Sequence, residues 1–588
     1  MAGAELVGCL VALDAQGMEH VAHREVEADF TIEAAEQFSL RGFTVESDAG
    51  AGGKVLSKRF AELAQLDQGG IGIGGEDLFG GAGQLQEDGV VLGEKGEIAG
   101  NGQAPDAVVV ACLWHGREFN ALLLSPASPL VWRGRGAVRC RPLLLAQLTL
   151  NTLQQLRNGE LAGARRLQLA CGLTEFPHEI FTLADSLEIL DLSGNALTAL
   201  PDDLPRLHRL RVIFCSGNPF AELPAVLGRC PQLEMLGFKS CRIESVPAAA
   251  LPEKLRWLIL TDNQVAELPP EIGQCTRLQK LMLAGNRLTA LPAELAECRN
   301  LELLRIAANQ LTVLPDWLFS LPRLSWLAYA GNPFCAKLPI VAVEPIDWAQ
   351  LTLGEKLGEG ASGIIHRAEW QADEASKPVA VKLFKGTLTS DGLPQSEMHA
   401  CLAAGEHPNL IPVLGRVAEH PGEVDGLVMA LIGHGFKNLA GPPSLDSCTR
   451  DIYAADAAFS LDAALRLAHG IAAAARHLHA QGITHGDLYA HNILHLADGA
   501  ALLGDFGAAS PVDQDDAAQA LALERIEVRA FGCLLEELLA RCRPVGNGAE
   551  TIQMLADLQV RCAAEILERR PLFTEIVAAL AQILAKAA

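Results

Sequence analysis

The segment His485-Gly486-Asp487-Leu488-Tyr489-Ala490-His491-Asn492 is followed, thirteen residues after Asn492, by Asp505-Phe506-Gly507. Phosphoryl transfer asks for a carboxylate near the attacking hydroxyl and for oxygen ligands on the magnesium that accompanies the phosphates. Asp487 suits the first task, and Asn492 and Asp505 suit the second. Upstream, Gly358-Glu359-Gly360-Ala361-Ser362-Gly363-Ile364-Ile365 is a glycine-rich turn. Its glycines let backbone come close to phosphates, because no Cβ intrudes. Val379-Ala380-Val381-Lys382 alternates like a strand and ends in lysine. Asp391-Gly392-Leu393-Pro394-Gln395-Ser396-Glu397 reads as a helix start, with Asp391 or Ser396 as cap and Pro394 in the first turn. Gly405 and Pro408 close that helix, and Glu397 becomes the candidate partner of Lys382.

These five polar anchors, in this order, resemble the eukaryotic-type protein kinase family from about Ile346 to the C-terminus. The resemblance implies ATP and Mg²⁺. Asp487 would orient the acceptor hydroxyl or take its proton. Lys382, held by Glu397, would place the α- and β-phosphates, and Asn492 and Asp505 would hold the metal. Leu357, Gly358, Glu359, Gly360, Ala361, Ser362, Gly363 and Ile365 would cover the nucleotide. Ala380, Met429 and Leu431 would line the adenine pocket, the last two on the hinge strand Leu427–Ile432. Leu461–Gln481 should be the long helix before the catalytic loop. Glu527-Val528-Arg529-Ala530-Phe531-Gly532 resembles the start of the helix after the activation segment, and Arg570-Pro571-Leu572-Phe573 a motif near the domain end.

Four departures stand out. Gly486 replaces the usual arginine, which could bind a phosphate on the activation loop. The segment from Asp505 to Glu527 is short. Ala522-Leu523-Glu524 is its nearest match to Ala-Pro-Glu, with Glu524 a candidate partner of Arg570. Its one hydroxyl residue is Ser510, so activation-loop phosphorylation is not expected to switch the enzyme. Tyr489 stands where serine/threonine kinases carry lysine, and His491 where tyrosine kinases carry arginine. His491 supplies a charge there only if protonated. The expectation is a protein kinase acting on Ser or Thr. The alternatives are a small-molecule phosphotransferase, which His-Gly-Asp-Leu-x-x-x-Asn also resembles, and a catalytically weak kinase-fold scaffold.

Between Leu167 and Asn332 the chain repeats Leu-x-x-Leu-x-Leu-x-x-Asn-x-Leu-x-x-Leu-Pro. Asn195, Asn218, Cys241, Asn263, Asn286, Asn309 and Asn332 recur at steps of 23, 23, 22, 23, 23 and 23 residues. That period is a leucine-rich repeat. Eight units follow, with strand centres at Leu167, Leu190, Ile213, Leu236, Leu258, Leu281, Leu304 and Leu327. Each gives one short parallel strand, an asparagine bonded to backbone at the turn, and a 3₁₀ or irregular return after Leu-Pro. Only stacking buries the leucines. Cys230, Cys275 and Cys298 share one repeat position and read as small core residues. Asp191, Phe214, Lys239, Trp257, Ile259, Met282, Arg305 and Trp326 are assigned to the concave face, a surface suited to a protein substrate or regulator.

The expected architecture is an α/β leucine-rich-repeat solenoid over 148–337, a linker at 338–345, and a two-lobed α+β kinase fold over 346–588, divided at 432/433. Residues 1–147 carry no recognisable fold, and are expected to be disordered or to precede the true start. A formal net charge of −24 argues against nonspecific nucleic-acid binding and against anionic membranes. No apolar run has the length of a membrane span. Fifteen scattered cysteines fit a reduced compartment, so a cytoplasmic location is expected.

Overall fold

The computed structural model describes residues 151–336, 345–372, 375–386, 388–543 and 548–587. It also gives strands at Leu6–Leu13, Glu19–Ala22, Phe30–Glu33, Gln37–Leu40, Ala107–His115, Glu118–Leu124 and Leu130–Arg133. These pair antiparallel into a five-stranded sheet and a two-stranded hairpin within residues 1–149. The linker expected at 338–345 lies outside the described residues, except for Pro345.

Residues 150–588 form one compact unit. Its first half is an eight-stranded parallel sheet in sequence order. The middle residues of the strands, from Leu167 and Leu190 to Leu304 and Leu327, align in register. They are buried, so the leucine column is a continuous core. The array opens with a capped helix at Leu153–Arg157. There Thr152 accepts from the Gln155 amide and Gln155 accepts from the Thr152 amide. The Leu-Pro pairs start 3₁₀ turns such as Ala293–Glu297 and Asp316–Ser320. The asparagines form the ladder: Asn286 Nδ2 donates to Leu260 O at 2.8 Å and Leu283 O at 2.9 Å, and its Oδ1 accepts from Val265 N at 3.0 Å. Cys241 fills its rung by donating from sulfur to Cys215 O at 3.3 Å. Burial pushes Cys230 and Cys275 up to about 11 and Cys298 to about 12, as inert core thiols. Among the described residues no group of His, Cys, Asp or Glu is arranged to hold a metal ion.

Lys239 is not on the strand face. In register, that place is Gly237, and a Cβ there would meet the Phe214 ring at 2.3 Å. The bulky Phe214 of the preceding strand takes the room, and Lys239 falls in the following turn.

The second half has two lobes. A six-stranded sheet carries the hairpin Leu351–Glu359 and Gly363–Ala372, then Ala375–Phe384, the hinge strand Gly426–Ala430, Val413–Ala418 and Pro345–Asp347. The helix Pro394–Ala404 accompanies it and ends at Gly405, φ 65°. Leu393, not Asp391 or Ser396, occupies the cap position, without a side-chain bond, because Asp391 has a tertiary partner described below. The helical lobe is built on Leu461–Ala480, capped by Ser460, and on Ala517–Leu539. The latter begins ten residues before Glu527, which lies mid-helix with Ala522-Leu523-Glu524. Asp516 caps it by accepting from Gln519 N.

Repeats and helical lobe share their cores. Val512, Leu523, Ile526 and Leu567 belong to the apolar cluster of the repeat leucines. Leu303 and Trp326 of the last two strands join the core of the helical lobe.

Candidate active site

Lys382 sits on the strand Ala375–Phe384, opposite Ile365 on one side and Leu427 on the other. Its ammonium is in direct contact with Glu397 Oε1, from the helix Pro394–Ala404. Burial disfavours the ammonium, but Glu397 and Asp505 outweigh it and hold Lys382 above the usual lysine range. The second Glu397 oxygen is buried without a partner.

The glycine-rich hairpin separates two demands. A Cβ at Gly363 would lie 2.5 Å from Leu383 O, so cross-strand packing requires glycine there. A Cβ at Gly358 or Gly360 would meet no protein atom within 4 Å. Protein packing does not explain those two glycines, whereas a phosphate lying along the backbone would. Glu359 is tied to Lys356 at 2.6 Å and also to Lys385. Leu357, 47% exposed, extends from the hairpin, and Ala380 and Met429 are cross-strand partners. Ser362 is buried, Ala361 exposed and Leu431 half-buried.

In the helical lobe, Asn492 Nδ2 donates to Asp487 Oδ2 at 2.8 Å and to Asp487 O at 3.0 Å. Asp505 takes a left-handed φ of 55° and accepts from Gly507 N at 3.1 Å. His491 is not a free charge beside Asp487. Its Nδ1 is 2.7 Å from buried Asp451 Oδ1, and its amide donates to Asp451 Oδ2. Burial opposes the imidazolium, but Asp451 raises His491 above the ordinary histidine value. Glu527 accepts from Gly486 N at 2.7 Å and pairs with His479 Nε2 at 2.8 Å, anchoring the loop from below.

The concave face assigned to a partner is, at its C-terminal end, taken by this site. Arg305 is 1% exposed. Its Nε donates to Asp391 Oδ1 at 2.6 Å, its Nη1 to Gly486 O at 3.0 Å, and its Nη2 contacts Asp487 Oδ1. Burial disfavours that guanidinium, but Asp487 and Asp391 keep it above the usual arginine range. Burial would raise Asp487, but Arg305 and the nearby histidines hold it below the usual carboxylate range. Trp326 stacks on Tyr489 at 4.1 Å between ring centroids and donates to Leu488 O at 3.1 Å. Ser510, 0% exposed, accepts at Oγ from Tyr329 N at 2.9 Å and Ala330 N at 3.2 Å. Arg570 does not pair with Glu524, which accepts from Phe573 N at 2.7 Å. Arg570 instead donates to Ala564 O, Arg525 O and, across to the repeats, Pro322 O at 2.8 Å. Burial, with Arg529 nearby, lowers it to about 9.

Arg305, Asp391, Asp451 and Trp326 were thus not assigned these places from local motifs. One signal was available: the catalytic loop lacks its usual cation and carries glycine before Asp487.

Residues 351–538 match the family model of protein tyrosine and serine/threonine kinases, and residues 186–207 and 276–334 match leucine-rich repeats. The serine/threonine-protein kinase mos of Xenopus laevis is 27% identical over 200 residues, 34% of this chain and 47% of that protein. The activated Cdc42 kinase Ack of Drosophila melanogaster is 30% identical over 172 residues, 28% of this chain and 15% of that protein. The chain therefore spans less than half the length of these relatives. A solved leucine-rich-repeat protein of Leptospira interrogans is 27% identical, with a TM-score of 0.28 over 31% of this chain and 53% of its own. The chain carries leucine-rich repeats followed by a protein kinase domain.

Proposed function

We propose that the chain transfers the γ-phosphoryl group of ATP to a serine or threonine hydroxyl of a protein. The single observation that carries this is the paired geometry across the cleft: Lys382 on Glu397 in one lobe, and Asp487 bonded to Asn492 in the other. Lys382 binds the α- and β-phosphates, and Glu397 fixes its ammonium. The backbone at Gly358 and Gly360 lies along the phosphates. Asp487 orients the acceptor hydroxyl and takes its proton as the new P–O bond forms and ADP leaves. Asn492 and Asp505 would hold Mg²⁺, which when bound would neutralise charge on the phosphate oxygens. Ala380, Met429, Leu431 and Leu357 enclose the base.

The domain boundaries follow the same reading: repeats over 148–337, kinase over 346–588. Asp191, Phe214, Trp257 and Ile259, half-buried at most, remain for a protein partner. The described cysteines are free thiols, which supports a reducing, cytoplasmic setting. Among the described residues no helix is long and apolar enough to cross a membrane. A small hydroxylated acceptor is the second reading. It is favoured by Tyr329 and Ala330 lying against Ser510, where the short activation segment would otherwise meet a peptide.

The test is label transfer from ATP with Mg²⁺ and a generic basic protein, beside Lys382→Met and Asp505→Ala. Phosphoserine or phosphothreonine that disappears in both variants supports the proposal. Transfer to metabolites alone supports the second reading. ATP binding without transfer to either overturns both.

A further inference from the structure

We propose that Arg305, delivered by the seventh repeat strand, is the positioning residue for Asp487, supplying from the repeats the cation that the catalytic loop lacks at Tyr489. This rests on the phosphotransfer reading above. Each nitrogen of the guanidinium has an acceptor: Nε donates to Asp391, Nη1 to Gly486 O, and Nη2 contacts Asp487. Asp487 is thereby fixed through one oxygen by Arg305 and through the other by Asn492. Its side chain stays 17% exposed, so a face remains for an acceptor. Asp391 precedes the helix that carries Glu397, so one guanidinium ties the phosphate-binding lobe to the acceptor end of the site.

The contact has the character of a permanent joint, not of a latch. Gly486 holds φ at 72°, and a Cβ there would lie 2.5 Å from Ala508 O and 2.7 Å from Leu327 O. The catalytic loop thus gives up a side chain where the repeat backbone passes. Arg305, Trp326 and Tyr329 are all 2% exposed or less, and the two domains share apolar cores. Releasing the joint would return these polar groups to water but expose the apolar surface of the two shared cores, which is a large cost for a switch. The groups facing Asp487 are Arg305 and Lys280 from the repeats, Asp391 from the other lobe, and His485, Tyr489 and His491 from its own loop. Asp451 takes the charge of His491, and Lys280 lies 4.3 Å from the centre of the Trp257 ring. Arg305 is the fixed cation in contact.

The experiment compares the full-length wild type, Arg305→Gln and Arg305→Lys, with Asp505→Ala as the inactive control. Label transfer is followed against ATP concentration. Arg305→Gln is expected to lower kcat about a hundredfold, the scale of a displaced proton acceptor. KM for ATP should change little. Arg305→Lys keeps the charge but loses the fork, and should recover about tenfold of the loss. If Arg305→Gln does not fold, Arg305→Lys still decides the matter: a kcat about tenfold below wild type with KM for ATP unchanged is expected. Higher activity in Arg305→Gln would mean the repeats restrain the kinase, and overturns the proposal. An unchanged kcat, or a loss carried by KM for ATP instead of kcat, also overturns it. Transfer by the wild type that Asp505→Ala abolishes shows that the phosphotransfer reading stands regardless. Silence in wild type and every variant removes that reading, and this one with it.

Discussion

The two ends of the repeat array use one scaffold for different surroundings. In the first strand positions, Arg166 is exposed and Ile189 half-buried, whereas Lys280, Leu303 and Trp326 are buried. In the third positions, Gln168, Asp191 and Phe214 are half-buried, and Arg305 and Ala328 are buried. The leucine column beneath is uniform throughout. What changes is the layer above, where the helical lobe replaces solvent. A repeat scaffold can therefore place a side chain against Asp487 without altering its own fold, because the buried leucine column beneath builds its core.

The largest effect should come from the packed end. Trp326→Ala removes the stack on Tyr489 and the bond to Leu488 O, leaving a void between two cores. The expected loss is about 3–5 kcal/mol. Ile189→Ala, in the same column at the open end, should cost under about 2 kcal/mol, since its side chain is only partly buried. Denaturant unfolding of the full chain, followed by tryptophan fluorescence and far-UV dichroism, measures both. Equal losses would mean that the kinase contributes nothing to the last repeats.

The left-handed glycines sharpen the same contrast. Gly194, φ 71°, has no atom within 4 Å of an added Cβ, whereas Gly486, φ 72°, has two backbone oxygens inside 3 Å. Both pay the left-handed cost on changing to alanine, about 1–2 kcal/mol. Gly486→Ala must also push Leu327 and Ala508 apart, adding about 1–3 kcal/mol. A melting temperature equally lowered in the two variants would show that the repeat backbone moves away from the loop without cost.

This difference between the ends also marks what could be read from residues in order. The leucine and asparagine spacing carries the strand register, because each unit repeats its neighbour's contacts at short range. The glycine-rich turn, Lys382, Glu397, Asp487, Asn492 and Asp505 stand in a recognisable order. The partner of Asp391 was not legible. An aspartate before a proline-led helix reads as a cap, and only tertiary contact reveals that Arg305, 86 residues earlier, takes it. Likewise Glu524 and Arg570 looked like a pair, but Pro322 O and Phe573 N claim them. The trace left in the sequence was a set of losses at one place: no side chain at Gly486, no cation at Tyr489, a short activation segment. Each is explicable once another part of the chain fills that space.

The smallest effect concerns His491, the loop histidine paired with buried Asp451. Burial disfavours its imidazolium, yet Asp451 raises it above the ordinary 6.5. A histidine raised on folding contributes stability that is fully present below its unfolded value and fades as pH rises through the folded one. The wild type should therefore lose a little stability upward from about pH 6.5, the unfolded histidine value. His491→Gln should remove that component of the slope while leaving Arg305 on Asp487. Melting temperatures between pH 6 and 8.5, taken as the difference between the two proteins, isolate it. A difference that is flat across this range would mean that His491 is neutral beside Asp451, and that its contact is an ordinary hydrogen bond. A difference that grows toward low pH identifies a charged His491–Asp451 pair, while the cation that touches Asp487, Arg305, comes from the repeats.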